Sequence, residues 1–223
     1  MAFTKFRLDF ENDPPDINLD LFRQSLPTEF KVDKEDETIY VSIPSSEPED
    51  GKCQFLIDRE IDRFFYLTCV KVKALIVTKR AYGRVDIKYR IHGGLDKNIK
   101  PQKWTYELPL QLRLWSLAED TKEVLLKIIL LFQIIEIAYP ERHNYPEYMN
   151  ASLPPNPLSE CKFLRNMAAH SGDVSHVQLE RYCEYLKVPP LMHDPTDPAY
   201  LKLFKSKIWL LKNEAKKAIE KSL

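Results

Sequence analysis

Apolar residues in the first half of the chain recur with a period of two. Phe6, Leu8 and Phe10 alternate with charged residues, Ile39, Val41 and Ile43 repeat the pattern, and Val85, Ile87, Tyr89 and Ile91 do so again before Gly93-Gly94. Such alternation predicts antiparallel strands with one face on a core and one in water. Residues 64–78 (FFYLTCVKVKALIVT) are rich in β-branched and aromatic side chains and predict one long strand, or two joined by a bend. Trp104, Tyr106 and Leu108 predict a further strand, and no long helix is expected before about residue 110. DPPD at 13–16 reads as a turn and SSEPEDGK at 45–52 as a solvated loop.

Beyond Pro109 the period lengthens, and proline-rich segments cut the chain into pieces of helical length. Four helices are expected: 116–139, from about 157 to 172, from about 173 to 187, and from 198 to the carboxyl end. The centre of the first, VLLKIILLFQIIEIA, is apolar on nearly every side, as a helix surrounded by protein must be. Lys127, Gln133 and Glu136 interrupt it, so a buried core helix is predicted and not a membrane span. The fold class that follows is α+β, with a mainly antiparallel β domain over 1–110 and a helical domain over 111–223.

Composition narrows the chemistry. The 223 residues carry 33 basic and 33 acidic side chains, which argues against a globally basic nucleic-acid binder. Five glycines cannot supply a dinucleotide fingerprint or a Walker loop, and four cysteines without a C-x-x-C pair read as buried, reduced thiols. The amino terminus lacks the apolar stretch of a signal peptide, so a cytoplasmic location is expected. The zero net charge conceals a division: residues 1–62 sum to −9, residues 63–113 to +9, and residues 114–223 to zero. In the basic segment Lys71, Lys73, Arg80, Arg84, Lys88 and Arg90 are interleaved with Tyr82, Tyr89 and Trp104, a mixture suited to pairing phosphates and stacking bases of single-stranded nucleic acid. Acidic and basic strands pairing with each other across one sheet explain the same division equally well.

The most informative stretch is CKFLRNMAAHSGDV at 161–174. Arg165-Asn166-Met167-Ala168-Ala169-His170 resembles the R-x4-6-H motif of HEPN domains, including the polar residue that often follows the arginine. The motif sits on an expected helix, after a long apolar helix and a proline-rich loop, and the resemblance covers roughly residues 112–223. It implies a four-helix domain that dimerises with a second copy and, in many members, cleaves RNA without a metal or other cofactor. On the matching positions it implies His170 as general base or acid for attack by a ribose 2′-hydroxyl, Arg165 as the holder of the phosphate, and Asn166 as an orienting group.

Helical geometry adds a demand of its own. Asn166 and His170, four apart, stack on one face, whereas Arg165 lies about 140° around from His170. Its side chain has to bend back, and both meet one phosphate if the helix loosens near Ser171-Gly172 or a two-fold partner supplies the facing surface. The same residues also fit a surface ion pair with a histidine resting on the helix carboxyl end. Glu136 on the long helix is either a buried carboxylate that positions Arg165 or a solvent-facing residue. No histidine spacing fits a metal site, and no serine or cysteine has the frame of a nucleophile. The expected function is a metal-independent endoribonuclease acting on RNA, in a toxin or antiviral setting as the resemblance implies. A non-catalytic HEPN module that binds RNA or assembles protein, and a ligand sensor acting through the β domain, stand beside it.

Overall fold

The computed structural model describes residues 2–10, 18–45, 51–77, 104–169, 177–189 and 197–223. The chain divides into two units, Met1–Trp104 and Thr105–Leu223. The architecture is α+β: a four-stranded antiparallel sheet belongs to the first unit, and the second is helical.

The first unit runs β1 (Ala2–Phe10), α1 (Leu19–Ser25), β2 (Lys31–Glu35), β3 (Thr38–Ser45), α2 (Gly51–Thr68) and β4 (Val72–Ile76). The sheet order is β2-β3-β1-β4 with antiparallel neighbours. This is the connectivity of the split β-α-β arrangement. Thr4, Phe6 and Leu8 of β1, Val32 of β2 and Ile39, Val41 and Ile43 of β3 are buried on one face. Phe22 of α1 and Cys53, Ile57 and Phe64 of α2 join the same core, with Phe22 and Phe64 meeting edge to face at 5.5 Å. Asn18 starts α1 by accepting the amides of Asp20 and Leu21 on its side chain. Asp36, with φ 54°, turns the chain between β2 and β3 in the left-handed region that aspartate tolerates.

Strand expectations at Phe6–Phe10 and Ile39–Ile43 agree with β1 and β3, but residues 64–78 do not form one strand. The first part completes α2 through Thr68, Cys69 turns the chain with φ 60°, and only Val72–Ile76 is strand. The reason is a helical repeat that starts well upstream. Cys53, Ile57, Glu60 and Phe64 are buried at spacings of three and four, and packing that stripe on the sheet outweighs the local β preference. The absence of a long helix before residue 110 is thereby corrected as well, since α2 has 18 residues. Nor is there a strand at Trp104, Tyr106 and Leu108: Tyr106 is almost wholly exposed and Leu108 opens a helix, its amide bonded to the Thr105 hydroxyl. The expected strand at Val85–Ile91 lies outside the described residues.

The second unit contains α3 (Leu108–Asp120), α4 (Val124–Ala138), α5 (Pro157–Ala169), α6 (Val177–Leu186) and α7 (Pro198–Ser222). The helix expected over 116–139 is therefore two helices, and five, not four, stand among the described residues. The break has a local cause: Thr121 is extended, and its hydroxyl accepts the amide of Glu123 in place of a helical carbonyl. α4 packs against α3, α5 and α7, which accounts for its apolar surface. Ile128, Leu131, Ile134 and Ile135 are fully enclosed, whereas Leu126, Gln133 and Glu136 reach solvent. Among the described residues no helix is long and apolar enough to cross a membrane.

Candidate functional site

The site begins with the placement of α5. Asn156 caps it, its side-chain oxygen taking the Leu158 amide at 3.0 Å, and Pro157 occupies the first turn, where its missing N–H leaves no bond unmade. One side of α5 is anchored. Glu160, almost entirely buried, accepts from the Tyr182 hydroxyl of α6 at 2.8 Å and from the Lys207 ammonium of α7 at 2.7 Å, both on Oε1. Cys161, Phe163, Leu164 and Met167 fill the core beside it.

Five residues beyond Glu160, and so about 140° around the helix, Arg165 points to the α4 side. Its guanidinium lies 5.8 Å from the centre of the Phe132 ring and donates through Nη1 to Asn166 Oδ1 at 3.1 Å. One turn earlier on α5, the Lys162 ammonium sits 5.1 Å over the Tyr145 ring, which itself leans on Phe132 at 6.1 Å. Two cations thus lie each on one of two neighbouring aromatic rings, an arrangement that limits their rotamers. The Tyr145 hydroxyl is buried without a hydrogen-bond partner, and burial, with the Glu136 carboxylate adding to it, pushes its pKa up to about 12. At neutral pH it keeps its proton.

Of the residues singled out from sequence, Arg165 and Asn166 are adjacent and bonded, half-buried at the edge of the α4–α5 contact. Glu136 is exposed on α4, the solvent-facing alternative, and acts electrostatically on Tyr145. His170 lies outside the described residues. Lys162, Tyr145 and Phe132 are the members of this cluster that sequence reading missed. Lys162 carried a signal, being three residues before Arg165 on the same helix; Tyr145, in an irregular loop, carried none.

In the first unit, Lys73 of β4 stands opposite Asp9 of β1 in the sheet register, and Lys71 reaches to 6.0 Å from the Phe65 ring. Arg80, Arg84, Lys88 and Arg90 lie outside the described residues. On the face of the sheet away from the helices Lys5 of β1 pairs with Glu35 of β2 at 2.9 Å and Arg7 with Asp9 of its own strand at 2.8 Å, all four within the acidic segment 1–62. Sequence reading also missed a buried ionic group on α2. Glu60 accepts from Arg63 at 3.2 Å and from the Trp104 indole at 2.9 Å; Arg63 also donates to the Ser25 carbonyl at the end of α1. Arg59 stacks over Trp104 at 4.3 Å, and burial lowers its pKa, the Glu60 charge opposing that shift.

Among the described residues no group of three or more histidine, cysteine, aspartate and glutamate side chains is placed to hold a metal ion. No protein-family model, curated protein or solved structure matches the chain.

Proposed function

We propose that the helical unit is a HEPN-type endoribonuclease that cleaves RNA without a metal. The observation that carries the reading is the pairing of Arg165 and Lys162 on the Phe132–Tyr145 rings, with Asn166 bonded to the arginine. A pair of fixed cations suits a phosphodiester, whose charge grows in the transition state. In this reading the ribose 2′-oxygen attacks the neighbouring phosphorus while His170 takes its proton. The phosphorus–5′-oxygen bond breaks, the leaving oxygen is protonated, and the products end in a 2′,3′-cyclic phosphate and a 5′-hydroxyl. Arg165 neutralises the phosphate, Asn166 holds Arg165, and a second copy docked through the helices completes the cleft.

Purified full-length protein incubated with mixed RNA in excess EDTA tests the proposal. Cleavage to cyclic-phosphate ends is expected, with a loss of about a hundredfold or more in Arg165→Ala and His170→Ala, as general acid–base groups contribute. RNA left equally intact by wild type and both variants overturns the nuclease reading. Binding without cleavage leaves the HEPN RNA-binding module in its place, and light scattering that finds only monomer removes the shared cleft.

A further inference from the structure

The balanced charge of the helical half hides a second division. α7 alone carries seven lysines and two glutamates, so its net is +5 and the rest of residues 114–223 sums to −5. The lysines are not spread evenly round the helix. Lys202, Lys205, Lys212 and Lys216 fall with Trp209 at successive steps of three and four, within an arc of about 80°. The arc faces away from the core, which α7 meets through Tyr200, Phe204, Leu211, Ala215 and Ala218. Trp209, at the centre, is 72% exposed. Lys202, Lys205 and Lys216 are exposed too, and among the described residues no acid pairs with Lys202 or Lys205. Lys212 is tied to Glu119 of α3 at 2.7 Å, Lys216 sits 5.8 Å from the Trp115 ring, and Glu220 closes the stripe one turn later.

We propose that this face of α7 is a docking track for single-stranded RNA. Its lysines span about 21 Å of helix. They meet the phosphates, and Trp209 offers an unpaired base a ring to stack on, which a duplex would not present. An exposed tryptophan costs solvation unless something covers it, and the stripe residues that flank it, Lys205 and Lys212, are both cationic, which selects a polyanion with flat apolar groups. An anionic membrane fits less well. A helix lying in a bilayer surface buries a broad apolar face, and the apolar face of α7 is already spent on the bundle. The identity of the polyanion as RNA rests on the functional reading above; the track itself lies on a different helix from Arg165.

Anisotropy of a fluorescein-labelled 20-nucleotide RNA, titrated with full-length protein in EDTA at two salt concentrations, tests the track. Lys202→Glu/Lys205→Glu is expected to weaken binding about tenfold or more and to lower the salt slope by about 0.7 per lysine. Trp209→Ala is expected to lose about fivefold or more and Trp209→Phe to recover most of it, as stacking requires. All three positions are exposed, and circular dichroism checks that the variants fold. Unchanged affinity in the charge-reversed variant, or binding to phosphatidylserine vesicles in place of RNA, overturns the proposal. The two readings fail separately. RNA bound through Lys202 and Lys205 but never cleaved removes the nuclease and keeps the track; cleavage with KM unmoved by the same variant removes the track and keeps the nuclease.

Discussion

Tyr182 on α6 donates its hydroxyl to Glu160 Oε1 on α5 at 2.8 Å, inside the core of the helical unit. The Lys207 ammonium of α7 reaches the same oxygen at 2.7 Å, so one carboxylate ties three helices. A buried acid is tolerated only when its charge is answered, and here a cation and a hydroxyl answer it. The tie also fixes the rotation of α5, and with it the side from which Arg165 and Lys162 project.

Removing the acceptor is expected to hurt more than removing either donor. Tyr182→Phe leaves Glu160 bonded to Lys207 and should cost about 1 kcal/mol, the net worth of one hydrogen bond. Glu160→Ala strands both donors and opens a small void, and should cost about 3 kcal/mol. Urea unfolding of the two variants measures both. Equal losses would mean that the carboxylate does not organise the group.

Alkaline pH is expected to loosen the same unit. Burial, first, and then the charge of Glu160 raise the pKa of Tyr182, and burial does the same for Cys161 and Tyr145, the last to about 12. For each, the folded state holds its proton more tightly than the unfolded chain, whose groups titrate near 9.0 for cysteine and 10.0 for tyrosine. Their contribution is therefore complete below pH about 9, and stability falls as pH rises through 9 to 12. The urea midpoint followed across that range should decline, and less steeply in Tyr182→Phe. A flat profile in wild type would contradict the assigned burial.

The ionic group on α2 invites a comparable experiment in the first unit. Glu60 and Arg63 are both nearly inaccessible and answer each other, with the Trp104 indole on the second glutamate oxygen. Glu60→Ala takes the carboxylate away from both the buried Arg63 guanidinium and the Trp104 indole, and a loss of about 3–5 kcal/mol is expected. Trp104→Phe keeps most of the ring and drops one bond to a charged acceptor, about 1.5–3 kcal/mol. Thermal unfolding monitored by far-ultraviolet circular dichroism ranks the two; a milder effect from Glu60→Ala than from Trp104→Phe would show that Arg63 finds another partner.

These two polar groups mark where sequence reading ran out. The strands at Phe6–Phe10 and Ile39–Ile43 were legible because alternation along a half-buried strand is a local signal. The start of α5 was legible from Pro157-Leu158. Glu60 and Glu160 were not, because each sits at a buried step of a helical stripe where a charged residue reads as solvent-facing until its partners are known, and those partners lie 44 and 47 residues away in Trp104 and Lys207. The same blindness cost α2: its apolar stripe is interrupted by Glu60, which let the aromatic run after it pass for a strand. The Arg165–Asn166 contact follows from adjacency, whereas the Phe132 and Tyr145 rings beneath the cations come from another helix and a loop.

Helix ends offer the last test. Cys69 follows α2 with φ 60° and returns its amide to the Phe65 carbonyl at 2.7 Å, the left-handed closure that glycine usually supplies. Lys187 closes α6 in the same conformation with φ 57°, its amide bonding to the Glu184 carbonyl and that of Val188 to the Cys183 carbonyl, both at 3.0 Å. A side chain with a Cβ is strained there by about 1 kcal/mol, so Cys69→Gly and Lys187→Gly should each stabilise the protein by up to about that amount. Cys69→Ala keeps the Cβ and serves as the control, expected to leave stability unchanged. Cys69 carries a second readout, since it is exposed whereas Cys53, Cys161 and Cys183 are buried. Iodoacetamide under native conditions should label Cys69 first and the other three only on unfolding. Gain from the alanine variant equal to that from glycine would remove backbone strain as the cause.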